Sequence, residues 1–283
     1  NYGSMRNRGG DITLTSTNVN TRNQRWNTTL NFNYNKNELT RLDVSANTVF
    51  DYLFESQNRV GKPMNALYSI RYAGLDEKGK PLAYTKDGKI VNSTQQLTVE
   101  DLVYNGTATP PYSASLLNTL QYKGFDLFFM FTYYGGHVMR DVVSPYLTKF
   151  PELNYTINMD RLALNYWKKP GDEKNPGIAP AYNSGASSST ILLWDAADKH
   201  ISKADYIKLR DVTLGYNIPE QLLRKCYIKR MKVNFQVQNV WRWSANGQGL
   251  DPEVWTGYDK YAINAIRGDL VPTSYTVGVN VNF

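Results

Sequence analysis

His137 and His200 are the only imidazoles in this 283-residue chain. Neither has a metal-ligand partner at a suitable spacing, so no metal site is read from them. The serine-rich run Gly185-Ala186-Ser187-Ser188-Ser189 lacks the strand-turn-helix setting that exposes a nucleophile. With so few acid-base groups, catalysis is set aside, and no catalytic, metal-binding or cofactor-binding residue is assigned. Asp251 and Glu253 can pair with basic loop residues or simply shape a turn. The lone Cys226 cannot form an internal disulfide and gives no evidence of a disulfide framework. What remains is non-covalent chemistry. Trp167, Trp194, Trp243, Trp255, Tyr258 and Tyr261 fall between the regular segments, and flat apolar rings with polar edges suit both sugar rings and peptide side chains. The competing reading is that these rings staple a loop to its neighbours or to a partner.

The segments that must position such loops are strands. The last eleven residues, from Thr273 to Phe283, alternate without a break, with Tyr275, Val277, Val279, Val281 and Phe283 on one face and Thr276, Gly278, Asn280 and Asn282 on the other. Residues 26–35 repeat the pattern, setting Trp26, Thr28, Leu30, Phe32 and Tyr34 against Asn27, Thr29, Asn31, Asn33 and Asn35. Further strands are expected at Asp11–Asn18, Ser113–Lys123, Gly124–Gly135, Asp205–Asn217 and Ile228–Trp241, which makes seven. The longest dense apolar run, Leu127 to Phe131, is far short of the roughly 18 residues that a spanning helix needs. A bilayer would therefore be crossed by strands. The 21 tyrosines and a mean hydropathy of -0.50 suit a barrel with a wet interior. A soluble all-β glycan-binding module is the alternative; it would bury one face of each sheet and need no aromatic rims.

Links between these strands are unequal, short at 20–24, 123–124 and 218–227 and long at 37–112, 136–204 and 242–272. Barrels of the outer membrane turn tightly in the periplasm and loop widely outside. That rule places Phe283 at the periplasmic end. Trp26, Tyr122, Phe125, Tyr216 and Phe283 then form one aromatic girdle, and Tyr133, Tyr206, Trp241 and Tyr275 the other. Residues 37–112 are expected to be a structured external excursion, although an extra pair of wall strands would also preserve the parity. Short helices are expected at Asn158–Lys168 and at Pro219–Lys225. The net charge of +7 looks scattered rather than gathered into a stripe, so no nucleic-acid partner is expected, and basic loops beside lipopolysaccharide phosphates account for it equally well.

Seven strands cannot close a barrel, since eight is the smallest bacterial number. This expectation, with the missing start and signal peptide, reads the chain as the C-terminal part of a longer product. The segment Ala204-Asp205-Tyr206-Ile207-Lys208-Leu209-Arg210-Asp211-Val212-Thr213-Leu214-Gly215-Tyr216-Asn217-Ile218-Pro219 resembles the penultimate-hairpin signature of SusC/RagA-type TonB-dependent transporters. Val237-Gln238-Asn239-Val240, Gly249-Leu250-Asp251-Pro252-Glu253 and the terminal run are similar to that family's closing segments in order and spacing, and Arg6-Asn7-Arg8-Gly9-Gly10-Asp11 resembles an upstream stretch in which Glu is more usual than Asp11.

The resemblance implies a 22-stranded outer-membrane barrel, of which residues 1–283 supply about seven strands and the long extracellular loops, with the plug and the remaining strands outside this chain. It implies TonB-dependent uptake of glycan oligosaccharides or oligopeptides with a SusD-like surface lipoprotein, the TonB complex being contacted through the absent N-terminal part and lipid by the wall. It also implies an assembly signal at Thr276, Gly278, Val281 and Phe283, where Val281 departs from the usual aromatic residue. The family's acidic calcium stretch survives only as Lys86-Asp87-Gly88-Lys89-Ile90, so no calcium site is carried over. A hydrolase of the outer membrane is the remote alternative.

Overall fold

Period-two alternation yields a single antiparallel sheet of seven strands whose spatial order is their order in the chain. A computed structural model describes residues 3–43, 48–54, 59–141, 164–181, 185–256, 266–267 and 270–283. The wall strands are β1 (Gly3–Asn20), β2 (Gln24–Leu42), β3 (Tyr112–Tyr122), β4 (Phe125–Gly135), β5 (Tyr206–Asn217), β6 (Arg230–Ser244) and β7 (Ser274–Asn282). Every neighbouring pair is antiparallel, so all short links lie at one end and all long links at the other.

Register carries the alternation across the sheet. One row runs Leu30, Leu116, Phe131, Leu209 and Trp241, and a lower row runs Leu127, Leu214, Phe235 and Val277. The opposite face reads Asn31, Ser115, Thr132, Lys208 and Arg242, then Thr119, Phe128, Thr213, Gln236 and Thr276; it is mostly polar, with Leu117, Phe128 and Met130 as an apolar patch on β3 and β4. Val277 is 70% exposed and Phe235 44%, although nothing polar shares their row. Water does not tolerate such a continuous apolar surface on a soluble domain. One row is polar at its β1–β3 end, where Ser16, Thr28 and Asn118 stand side by side: Asn118 Oδ1 accepts from Trp26 Nε1 at 2.9 Å and Thr28 Oγ1 at 2.7 Å, so its carbonyl is satisfied within the sheet.

At 18 and 19 residues, β1 and β2 exceed the roughly 9 to 11 that cross a bilayer. Pairing with β3 stops at Tyr34, and beyond it the hairpin projects towards the long-link end, where Leu39 exchanges main-chain hydrogen bonds with Gly61 and Lys62. Among the described residues, the links 37–112 and 136–204 add no further strand to the wall. Ala66–Ser69 pairs with Val103–Thr107, Tyr72–Leu75 leads a three-stranded sheet with Pro81–Tyr84 and Ile90–Val91, and Val138–Arg140 pairs with Ile201–Lys203. Helix α1 (Val49–Phe54) and helix α2 (Ser188–Asp195) complete a small domain beyond the long-link end of the sheet, external to the wall, whose shared core includes Tyr52, Leu53, Tyr68, Ile70, Leu193 and Ala196.

Two expectations change and one holds. Among residues 158–168 only 164–168 are described; Tyr166 makes a parallel bridge to Ala179 and Trp167 and Lys168 lie in no regular element, so that part is not an α-helix, and the rest of the expected helix lies outside the described residues. At the third short link the helix does form, as α3 (Glu220–Leu223) followed by a 3-10 turn to Cys226, with Pro219 leading in. Tyr206 leaves the outward girdle: it pairs with Tyr134 and Ser244 on the polar face, is buried, and stacks on the Tyr134 ring at 5.2 Å.

Candidate functional site: the mouth formed by the long links

The external domain forms because two links lend each other hydrogen bonds. Ile70 N–H donates to the Ala196 carbonyl at 2.8 Å, and Asp198 N–H returns to the Ile70 carbonyl at 2.9 Å. Thr190 Oγ1 donates to the Asn92 carbonyl at 2.9 Å, and Ser187 caps α2 by accepting from the Thr190 N–H. Buried Arg140 reaches across to the Tyr68 carbonyl. Burial pushes the Arg140 guanidinium down to about 10, an effect the nearby Asp195 carboxylate opposes. Beside this core, Leu42, Val49, Tyr52, Leu97, Val99 and Leu192 line a cleft of about 920 Å³, with Arg59 and Glu100 paired at its rim.

The third long link straps down onto the polar face of the wall. Asn246 folds its turn, its Oδ1 accepting from the N–H groups of Gln248 and Leu250 while its Nδ2 donates to the Leu250 carbonyl at 2.8 Å. Asp251 then meets Lys208 at 2.7 Å and Arg242 at 3.0 Å, and Glu253 meets Lys208 and both terminal nitrogens of Arg210. Burial opposes ionisation of Asp251, but hydrogen bonds from Lys208 and the Glu253 N–H, with the Lys208 charge, hold its carboxyl below the usual range. Glu253 follows the same logic, with Arg210 and Lys208 outweighing burial. Asp141 joins this strap to the external domain, accepting from Gln248 Nε2 at 2.7 Å and Ser202 Oγ at 3.0 Å.

Asp251 and Glu253 thus pair with strand residues rather than with loop residues. The available signal was a matched spacing: Lys208 and Arg210 lie two apart on one strand, as the two carboxylates do in the strap. Proximity across 43 residues was not readable from the sequence.

The aromatic candidates scatter. Trp194 is 1% exposed, enclosed by Tyr72, Ala179 and His200, so it is a core residue rather than a ligand-facing one. Half-buried Trp167 donates to Glu173 at 3.1 Å and lies over Gly79, whose φ of +74° turns a loop where a side chain would strike the indole. Trp243 pairs with Ile207 on the apolar face and points away from the polar one. Trp255 belongs to a two-residue strand opposite Arg267, and Tyr258 and Tyr261 lie outside the described residues. The structure therefore gathers none of the described rings into one site.

The histidines are packing groups. Burial drives His137 down to about 4; burial, with the charges of Lys199 and Arg140, drives His200 down to about 3, and His200 sits 4.7 Å from the Trp194 ring. Both are neutral at ordinary pH and too weakly basic for proton transfer there. Among the described residues no cluster of His, Cys, Asp and Glu could hold a metal ion, and no helix is long and apolar enough to cross a membrane.

An antiparallel sheet that is apolar on one side and polar on the other, open at both edges and looped at one end, is a portion of a β-barrel wall. The known proteins it resembles are of that kind. A TonB-dependent receptor of Formosa agariphila is 24% identical over 90% of this chain, and the TonB-dependent receptor SusC of Bacteroides thetaiotaomicron 23% over 92%. A solved structure titled as the RagAB peptide transporter superposes with a TM-score of 0.72, covering 99% of this chain at 25% identity. No family model matches the chain. The resemblance to SusC/RagA-type TonB-dependent receptors, read first from sequence motifs, is thus shown in both sequence and structure, and these relatives are receptors and transporters rather than enzymes. The chain spans 28% and 25% of the two receptors and 30% of the solved chain.

Proposed function

We propose that residues 1–283 are the C-terminal part of the 22-stranded barrel of a TonB-dependent outer-membrane importer, supplying about seven of its strands, with the plug and the remaining strands outside this chain. The observation that carries the reading is the division of the sheet's faces: an unbroken apolar row such as Leu127, Leu214, Phe235 and Val277 opposite a wall of Thr, Gln, Lys and Arg. The first suits lipid and the second a wet lumen. Short links would face the periplasm, long links the outside, and Phe283 would end at the periplasmic rim. Trp26, Tyr122, Phe125, Tyr216 and Phe283 would form one interfacial girdle and Tyr133, Trp241 and Tyr275 the other.

The cargo would be an oligomeric nutrient, glycan or peptide, received at the mouth under a SusD-like lipoprotein, with TonB supplying energy through segments outside this chain. Similarity to SusC and to a peptide transporter supports this reading, and the rigid, cross-linked external domain supplies a docking surface. The test is uptake: cells lacking the full-length receptor should stop growing on one oligosaccharide or oligopeptide mixture and recover on complementation only when TonB is present. Growth indifferent to both genes on every such mixture would overturn the reading.

A further inference from the structure

The short-link end of the wall carries nearly all of the chain's excess charge. Residues 20–26, 121–126 and 216–232 hold eight Lys and Arg against Asp126 and Glu220 alone, a balance of +6 in a chain whose total is +7. Charge that looks scattered in the sequence is gathered by the fold, because short antiparallel links bring three separate turns to one rim. It gathers at the end opposite the long loops, so the expected account in terms of loops beside lipopolysaccharide does not explain it.

Two clefts open at that rim. One of about 440 Å³ is lined by Arg22, Arg25 and Lys123 and the other, of about 460 Å³, by Lys229, Arg230 and Lys232. Lys232 is paired with Asp126 at 2.6 Å, and Lys229 donates to the Phe283 carbonyl at 2.9 Å; Arg22, Arg25, Lys123, Arg224 and Arg230 are exposed. Large apolar side chains stand bare among them, Tyr227 at 92% exposure and Leu222 at 69%. Lys123 lies over the Tyr122 ring at 5.2 Å. Cations beside exposed apolar groups, at the level where an apolar wall ends, match a headgroup layer over acyl chains. An acidic protein segment would satisfy the cations but leave Leu222 and Tyr227 in water.

We propose that this rim is a seat for anionic phospholipid, with Leu222 and Tyr227 entering the interface and Arg22, Lys123, Arg224 and Lys229 holding phosphates. The inference rests on the barrel reading and adds a lipid preference that the reading does not require. The full-length receptor, reconstituted in vesicles mixing phosphatidylethanolamine with a minority of phosphatidylglycerol, is extracted gently and its retained lipids are counted by native mass spectrometry. Phosphatidylglycerol should be enriched over its share of the vesicle, and Lys123→Gln, Arg224→Gln and Lys229→Gln should each weaken the rim's relative affinity for phosphatidylglycerol by roughly fivefold, so that retained lipid in the triple variant falls to the vesicle's own composition. Retained lipid that mirrors the vesicle composition in the wild type, or enrichment unchanged in the triple variant, overturns the seat while leaving the barrel intact. Binding of a polyglutamate probe that the three substitutions abolish, without change in lipid, assigns the rim to an acidic protein instead. A receptor that enters no bilayer overturns the barrel reading and the seat with it.

Discussion

Lys208 and Asp251 stand 43 residues apart in the chain and 2.7 Å apart in the fold. Both side chains are buried, and Arg242 approaches the same carboxylate from the other side. A buried carboxylate with two cationic partners makes the strap at 245–254 part of the wall rather than a free loop. Removing one member leaves the others desolvated and underpaired, which costs more than the pair itself contributes. Asp251→Ala should therefore destabilise the strap by on the order of 3 kcal/mol, whereas Glu253→Gln, at a more exposed partner, should cost less. Hydrogen exchange of peptides covering 245–256 checks this, and equal protection in wild type and Asp251→Ala would refute it.

Acid should loosen the long-link end in two stages. His200 and His137 have folded values of about 3 and about 4, both below the ordinary histidine value of about 6.5. Between those limits the unfolded chain binds protons that the folded one refuses, so stability from this source is complete above about 6.5 and drains away as pH falls towards the folded values. Asp251 and Glu253 are also lowered, but from the carboxylate range, so their contribution holds until pH falls below about 4 and is lost as it passes the folded values. Peptides from 188–203 should lose exchange protection at higher pH than those from 245–254. His200→Phe should blunt the first stage alone; simultaneous loss of both regions in the wild type would contradict the assignment.

Trp194 offers a direct contrast between packing and binding. Its ring touches Tyr72 at 5.5 Å and His200 at 4.7 Å, with Lys199 Nζ 4.5 Å above it, and is 1% exposed. Trp194→Ala should open a cavity worth about 3–5 kcal/mol in the external domain. Trp194→Phe should restore most of the stability. Thermal unfolding resolves the two, and an alanine variant as stable as the wild type would return Trp194 to the surface candidates.

The wall was legible because its signal is local. Alternation in residues 26–35 and 273–283, and the turn at Lys123-Gly124, each require only neighbours in sequence, and the seven strands emerged in the expected order. Tyr206 went wrong for a local reason too: Leu209 and Asp211 flank a register shift opposite Asn239, whose φ is +54°, so counting by twos across Arg210 misassigns the strand's upper end. The external domain was not legible. Tyr68, Leu193 and Ala196 share a core although their segments belong to different links, and nothing periodic in either announces the other. The strap fell between these cases, with its charge doublets visible and their meeting invisible.

Phe283 ends the wall beside β6, where Lys229 Nζ holds its carbonyl at 2.9 Å and Lys229 N–H donates to Asn282. The side chain itself is 74% exposed and makes no ring contact recorded among the described residues, so it contributes little to packing within this sheet. A residue retained only for packing would be nearly neutral to replace here. We propose that it acts before the barrel is complete, together with Thr276, Gly278 and Val281, as the strand that assembly machinery recognises. Phe283→Ser should then lower the amount of full-length receptor in the outer membrane several-fold, while the fraction that does assemble keeps wild-type heat-modifiable mobility. Phe283→Tyr, which preserves an interfacial ring, should restore the amount. Wild-type surface levels in Phe283→Ser would reduce the residue to an ornament of the rim, whereas normal levels with altered mobility would make it a stabilising contact of the closed barrel and not a signal.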